Sequence, residues 1–139
     1  MALPIRKSSG ANGSRERWPV KALFDTNILI DYLSGLEAAR EEIERYRDRA
    51  ISVITWMEVM VGTAPEHETG TRALLASLQN LPITPAVAEA AVLLRKERKL
   101  KLPDAIILAT AQAADRLLIT RNTRDFPRSD ATVRIPYRR

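Results

Sequence analysis

The order of apolar and polar positions along this chain predicts strands that alternate with helices. Short apolar runs, typical of buried strands, lie at residues 20–24, 50–54 and 117–120, with shorter runs at 81–83 and 133–135. Helical patterns separate them, over residues 27–33, 37–48, 55–61, 66–78, 85–100 and 104–114. Such alternation favours an α/β fold with a mainly parallel central sheet, covered by helices on both faces.

Two of the predicted helices differ in their expected surroundings. Residues 104–114 are apolar on nearly every side and follow Pro103, which suits a first helical turn, so we expect a central helix. Residues 37–48 are rich in Glu and Arg, with sparse apolar positions. That pattern predicts a surface helix whose charges face solvent.

The domain organisation follows from length and from the amino-terminal segment. Residues 1–17 contain the small, polar run SSGANGS, which offers nothing to bury and predicts a flexible tail. The folded part is expected to start near Trp18. A length of 139 residues is enough for one hydrophobic core and too short for two ordinary domains, so residues 18–139 are predicted to form a single domain.

Composition narrows the class of protein. The sequence has no cysteine, which excludes disulfides and thiolate-bound metal within it, and no apolar stretch near the roughly 18 residues of a membrane span. We therefore expect a cytoplasmic protein without a membrane segment. The formal charge of +5 favours a polyanionic partner such as nucleic acid, although basic residues also serve solubility.

Four acidic residues stand at the ends of predicted elements. Asp25, Glu58 and Asp125 each follow a predicted strand, and Asp104 begins a helix. Because ligand sites in parallel sheets form at the carboxyl ends of the strands, we expect these acids to converge there. With one histidine and no cysteine in the chain, the cluster predicts a cation site built from oxygen ligands, suited to metal-dependent chemistry on a phosphate backbone.

Each acid also has a purely structural explanation. Asp25 can cap the helix that follows it, and Asp104 can interact with the positive end of its helix macrodipole. Thr55 and Glu58 match the S/T-x-x-E capping box. Asp125 can order an Asx-type turn in its loop. These explanations account for single acids, but not for their recurrence at the strand ends of one sheet.

Four segments carry a family resemblance. They are FDTNILI at 24–30, SVITWMEV at 52–59, LPDAIILATA at 102–111 and ITRNTRDF at 119–126. In order and spacing they resemble the successive sequence blocks of the PIN-domain family, and within it most closely the VapC-type toxins of toxin–antitoxin modules. The likeness runs from about residue 21 to residue 135.

The resemblance implies a three-layer α/β/α nuclease, usually dimeric, that holds Mg²⁺ or Mn²⁺ and hydrolyses RNA with an activated water. Asp25, Glu58 and Asp104 match the acidic triad of the family. The fourth acidic place matches less directly. In this family the block carries an Asp or Asn soon after the threonine and a further Asp just before the Phe, and these positions are Asn122 and Asp125 in this chain. The number of tightly held metal ions, and which of the two residues acts, are left open.

Further residues are assigned smaller roles. By resemblance, Thr26, Asn27 and Thr120 match polar positions that support the acids or touch the bound water. Arg121 and Arg124 flank the proposed fourth acid and could hold phosphates of a nucleic acid. The alternative for these two arginines is an ordinary solvated loop.

The resemblance also implies a partner, a small antitoxin that wraps the toxin and blocks the acidic site. Binding of this kind often places an amphipathic helix in an apolar groove. Tyr32, Leu36 and Tyr46 are predicted to line such a groove, whereas Ile28 and Leu29 are predicted to be core residues.

Two other functions stay open at this point. One is a nucleic-acid-binding or regulatory module without catalysis, whose acids are structural caps. The other is a metal-dependent phosphomonoesterase. The segment Asp25-Thr26-Asn27 disfavours the latter, because a phosphoaspartate enzyme of the haloacid type would be expected to carry a second Asp two residues after the first.

Overall fold

A computed structural model describes residues 18–139 of this chain, and it confirms the α/β class. The strands are β1 (Trp18–Phe24), β2 (Tyr46–Ser52), β3 (Gln79–Leu81), β4 (Leu117–Ile119) and β5 (Val133–Arg134). The helices are α1 (Thr26–Leu33), α2 (Glu37–Glu44), α3 (Val53–Val61), α4 (Glu68–Ala76), α5 (Pro85–Arg98) and α6 (Leu102–Ala113), with a 3-10 turn at Pro65–His67.

All strand pairs are parallel, and the sheet has the order β3-β2-β1-β4-β5. The described part of the chain begins with the central strand β1, continues outward with β2 and β3, and then returns to the other side of β1 with β4 and β5. The predicted edge position of residues 133–135 is confirmed, because β5 is the last strand.

The core consists of two apolar layers, one on each face of the sheet. Successive β1 residues illustrate the division, since Phe24 packs into the layer under α1–α4 and Leu23 packs into the layer under α5 and α6. Six of the twelve residues of α6 are buried, in keeping with the central helix that its apolar pattern predicts. Helices on both faces make the three-layer α/β/α arrangement that the resemblance implied.

The boundary between α2 and β2 differs from the sequence prediction. The helix predicted over residues 37–48 ends at Glu44, and the strand begins at Tyr46 rather than at residue 50. Tyr46 is fully buried, and its ring meets the edge of Trp18 with 5.6 Å between ring centroids. Charged residues fill the first half of β2, so its apolar pattern is visible only in its second half.

The prediction that α2 carries only solvated charges is also wrong. Glu42 is buried and accepts hydrogen bonds from Tyr46 Oη at 2.6 Å and from Arg134 Nε at 2.7 Å. Burial alone would raise the pKa of Glu42, but the bonds from Arg134 and Tyr46 hold this pKa below its ordinary value. Glu42 therefore ties α2 to β2 and β5.

The groove predicted from Tyr32, Leu36 and Tyr46 differs from the structure. Tyr32 and Tyr46 belong to the core and do not line a surface groove, so that prediction is wrong for both, whereas Leu36 is half-buried.

No helix within residues 18–139 has the length and apolar character to cross a membrane. The tail predicted at residues 1–17 lies outside the described residues.

Candidate active site

The four predicted acids meet at one edge of the sheet. Asp25 directly follows β1, Glu58 lies in α3 after β2, Asp104 lies in the first turn of α6, and Asp125 lies in the loop after β4. Strands β2, β1 and β4 are neighbours in the sheet, so their carboxyl ends form one edge. The charges of Asp25, Asp125 and Glu58 all raise the pKa of Asp104, so the four carboxylates interact electrostatically at this edge.

Asp25 is held by both of its oxygens. Oδ1 accepts the backbone N–H of Thr26 at 2.7 Å and so caps α1, as one structural explanation proposed. Oδ2 accepts the Thr120 hydroxyl at 2.7 Å and the Asn27 amide at 3.2 Å. Burial raises the pKa of Asp25 above its ordinary value despite these bonds, and the charge of Glu58 adds to the rise. The residue is thus both a cap and an oriented member of the cluster.

Glu58 is oriented by a residue of another helix. The Thr26 hydroxyl donates to Glu58 Oε1 at 2.7 Å and lies 3.1 Å from the Thr55 hydroxyl. The capping-box explanation is wrong, because α3 begins two residues before Thr55 and its cap is Ser52, whose hydroxyl accepts from the Ile54 N–H at 3.2 Å. Glu58 is therefore free of any capping role.

The pKa of Asp104 is raised by its surroundings, which include the other three acids. Burial raises it first, then the charges of Asp25, Asp125 and Glu58, and the result is a pKa of about 6. Nearby Lys101 acts in the opposite direction. A carboxyl group whose pKa is raised by burial and by the charges of three other carboxylates is typical of a site arranged for a positively charged ligand.

Asp125 is oriented by Asn122 through two hydrogen bonds. The Asp125 N–H donates to Asn122 Oδ1 at 3.2 Å, and Asn122 Nδ2 donates to Asp125 Oδ2 at 3.0 Å. The Asx-type turn proposed from the sequence is therefore present, but it also fixes the Asp125 carboxylate beside Asp104. Both ends of the Asn122 side-chain amide are therefore engaged by Asp125.

The two loop arginines have different surroundings. The Arg121 guanidinium is bound to Asp31 in α1, with Nη2 at 3.2 Å from Asp31 Oδ1, while its backbone N–H donates to Asn27 Oδ1 at 3.2 Å. Arg124 is exposed. A phosphate contact stays a prediction for both, and of the two the guanidinium of Arg121 already has a carboxylate partner.

Asp31 is a residue that the sequence analysis missed. It is fully buried, and Tyr137 and Arg139 bind it together with Arg121. Burial alone would raise the pKa of Asp31, but the bonds from Arg121, Tyr137 and Arg139 hold it below its ordinary value. The sequence did contain one sign that Asp31 is buried, because this acid lies on the apolar face of a predicted helix, with Ile28 and Tyr32.

The donor set fits a hard divalent cation in its chemistry. Carboxylate oxygens are the ligands that Mg²⁺ and Mn²⁺ prefer, and a cation would relieve the repulsion that raises the pKa of Asp104. Within residues 18–139, however, no three His, Cys, Asp or Glu side chains are grouped closely enough to hold an ion directly. Simultaneous direct ligation by all four acids is therefore not preformed in the described part of the chain.

The fold is that of a PIN domain, and the family model for the PIN domain matches residues 22–131. The chain belongs to the PIN-domain family.

Individual relatives narrow the likeness. A chain in the solved structure of a toxin–antitoxin complex from Klebsiella pneumoniae shares 52% sequence identity and a TM-score of 0.80, covering 85% of this chain and 99% of that one. Ribonuclease VapC10 of Mycobacterium tuberculosis is 34% identical over 113 residues, which is 76% of this chain and 85% of that protein. FitAcB from Neisseria gonorrhoeae shares the fold, with 24% identity, a TM-score of 0.71 and coverage of 83% of this chain and 97% of that one.

Proposed function

We propose that this protein is a Mg²⁺- or Mn²⁺-dependent endoribonuclease and the toxin of a type II toxin–antitoxin pair. The observation that carries the proposal is the convergence of four carboxylates at the carboxyl edge of the sheet, with the pKa of Asp104 raised to about 6. The similarity to Ribonuclease VapC10 and to a chain of a toxin–antitoxin complex supports the substrate and the biological role.

The chain's own residues prepare the acids for this role. Thr120 and Asn27 orient Asp25, Thr26 orients Glu58, and Asn122 orients Asp125, each through a side-chain hydrogen bond. These bonds restrict the rotamers of the carboxylates before any ligand arrives, which lowers the entropy that binding must offset. Asp25 is the one buried residue of the four, so a bound cation would interact with its carboxylate in the least polar surroundings.

Electrostatics favours a cation as an obligatory part of the reaction. Four carboxylates at one edge would repel the phosphate backbone of RNA, whereas the chain as a whole carries +5. A divalent cation held by the acids supplies charge stabilisation at the phosphate and lowers the pKa of a water that it binds. Lys101, which lies near enough to Asp104 to lower its pKa, adds a positive group beside the acids where a phosphate would approach.

The proposed antitoxin needs an apolar surface near the acids, and α1 and α3 provide one. Ile30 and Leu33 on α1, and Met57 and Val61 on α3, are exposed large apolar side chains. Both helices begin at the acidic edge, so a peptide lying along them would reach the site. These four residues replace Tyr32 and Tyr46 as the proposed contacts.

We also propose that two copies of this chain assemble into a homodimer.

The proposal is tested by a cleavage assay on structured RNA. We expect cleavage with Mg²⁺ or Mn²⁺, none with a chelator, and a loss of at least about 100-fold in Asp104→Asn, which keeps the shape but removes a charge. The matched control is Asp115→Asn, because Asp115 is exposed and has φ 53°, a conformation that Asn also tolerates. Cleavage by Asp104→Asn at the wild-type rate would refute the site.

A second substrate separates the enzyme classes. A small phosphate monoester, offered in the same buffer and with the same metal, should not be hydrolysed. Hydrolysis of the monoester without cleavage of RNA would favour a phosphomonoesterase. Binding of RNA without any metal-dependent cleavage would favour the non-catalytic module.

A further inference from the structure

The Asp31 carboxylate is buried in the protein and saturated with donors. Its side chain has no exposed surface. Oδ2 accepts from Arg121 Nε at 2.5 Å and Tyr137 Oη at 2.8 Å, and Oδ1 accepts from Arg139 Nη1 at 2.6 Å and Arg121 Nη2 at 3.2 Å. A carboxylate has about four acceptor positions, so these donors leave none for a metal ion or a substrate.

Arg121, which Asp31 binds, lies in the sequence between two residues that donate hydrogen bonds to acids of the site. Arg121 follows Thr120, whose hydroxyl donates to Asp25 at 2.7 Å, and precedes Asn122, whose amide donates to Asp125 at 3.0 Å. The Arg121 N–H donates to Asn27 Oδ1 at 3.2 Å, and the Asn27 amide in turn contacts Asp25 at 3.2 Å. The segment 120–122 therefore links Asp31 to two of the four acids.

We propose that Asp31 is a positioning residue of the acidic site, which acts through Arg121 to hold the segment 120–122 against α1. Tyr137 and Arg139 complete the clamp, so the carboxy-terminal segment of the described chain takes part in shaping the site. Without the clamp, the segment 120–122 would keep its backbone bonds but lose the side-chain anchor at its middle residue. Asp25 and Asp125 would then sample wider positions. The kinetic part of this proposal rests on the proposed function.

Glu42 provides a matched control on the neighbouring helix. It is also a buried carboxylate, and Arg134 binds it with two nitrogens, Nε at 2.7 Å and Nη2 at 3.1 Å. Its other partners are Arg45 and Tyr46. The bonds of Glu42 join α2 to β2 and β5, whereas those of Asp31 reach the loop that carries Asp125.

The first experiment compares Asp31→Asn with Glu42→Gln in the full chain, well below the melting temperature of each variant. Both should melt earlier than the wild type. In Asp31→Asn, kcat on RNA should fall about tenfold and the Mg²⁺ concentration for half-maximal rate should rise about tenfold, with KM for RNA changed less than about threefold. Glu42→Gln should stay within about threefold in all three quantities. Equal losses in both variants would make Asp31 a purely structural residue and overturn the proposal.

The second experiment tests the route through Arg121. If Asp31 acts through this side chain, Arg121→Gln and the double variant should lose about as much kcat as Asp31→Asn alone. If the kcat losses of the two single variants multiply in the double variant, Asp31 does not act through Arg121. A rise in KM for RNA confined to Arg121→Gln would also overturn this route, because it would make Arg121 a substrate contact.

The third measurement does not depend on activity. In ¹⁵N-correlated NMR spectra, the side-chain amide signals of Asn27 should shift or broaden in Asp31→Asn and stay unchanged in Glu42→Gln. If the wild type did not cleave RNA, the proposed function would fail, and these signals would still decide whether Asp31 positions the site. Unchanged Asn27 signals in Asp31→Asn would overturn the positioning role.

Discussion

At the scale of single residues, three carboxylates of the site, those of Asp25, Glu58 and Asp125, each accept a specific side-chain hydrogen bond. Asp25 combines a capping bond from Thr26 with a bond from the Thr120 hydroxyl, so one side chain both starts a helix and faces its neighbouring acids. Burial and the charges of three carboxylates act together on Asp104 and raise its pKa to about 6. Such a residue is expected to cost stability when no cation is bound.

This cost gives a prediction for the stability of Asp104→Asn in the presence of a chelator. The ordinary pKa of 3.8 is raised to about 6 in the folded protein, so the folded state keeps its proton more tightly than the unfolded state. The cost is absent below pH 3.8, grows as the pH rises towards 6, and is complete above that. Above pH 7 we expect the variant to be about 1–2 kcal/mol more stable than the wild type, after allowing for partial screening by water.

Urea denaturation at pH 8 and at pH 4 measures this difference, with Asp115→Asn as the control. The gain at pH 8 should shrink strongly at pH 4, where the protonated carboxyl resembles the amide. A gain that is equal at both pH values would show that repulsion among the carboxylates is not its source.

At the scale of elements, helix starts place the acids. Helices α1, α3 and α6 all begin near the carboxyl edge of the sheet and bring Asp25, Glu58 and Asp104 to it. The start of α3 depends on Ser52, which is buried and accepts the Ile54 N–H at 3.2 Å. One turn later, Glu58 accepts from Thr26 of α1 at 2.7 Å, so the position of α3 decides whether this bond between helices can form.

Removal of the Ser52 cap should therefore weaken the protein and loosen Glu58. Ser52→Ala is expected to lower the free energy of unfolding by about 1 kcal/mol, the usual cost of losing a side-chain cap. Cleavage at a temperature where the variant is fully folded should fall by less than in Asp104→Asn. Ser129→Ala, in an exposed loop position, is the matched change and should alter neither quantity. A Ser52→Ala variant as stable as the wild type would contradict the cap assigned here.

At the scale of the whole molecule, the charged surface and the exposed apolar surface suit different binding partners. The acids occupy one edge of a chain that is otherwise basic, with a net charge of +5, which suits an RNA substrate once a cation neutralises the site. The exposed apolar residues of α1 and α3 suit a protein partner that covers this edge. Substrate and antitoxin would then compete for the same side of the protein.

The competition predicts a growth phenotype. Expression of the active protein alone should slow growth, and Asp25→Ala or coexpression of the cognate antitoxin should restore it, while Asp115→Asn should remain toxic. A charged substitution at Val61 should keep cleavage activity but weaken the rescue by the antitoxin, because this side chain is 87% exposed and lies at the end of α3 away from the acidic edge. Colony counts after induction, with copurification of the antitoxin, measure both effects. Full tolerance of the active protein, with no copurifying partner, would favour a stand-alone nuclease.

The sequence by itself determined the order of the elements and the identity of the acids. Apolar runs and helical periodicity depend on residues close to each other in the chain, so the strands leading to Asp25 and Asp125 and the helix of Asp104 could be predicted. Strand-end placement then followed from the general geometry of parallel sheets. The end of α2 could not be predicted, because the charged residues that continue past it belong to a strand whose pairing with β1 decides their conformation.

Only the tertiary structure decided which polar groups are bound to one another. The bonds from Arg121, Tyr137 and Arg139 to Asp31, and from Arg134 to Glu42, join residues about 90 or more positions apart. The raised pKa of Asp104 likewise depends on acids brought from three other elements. No local pattern encodes such pairs, since a buried charge is stabilised by whichever partner the packed fold places against it.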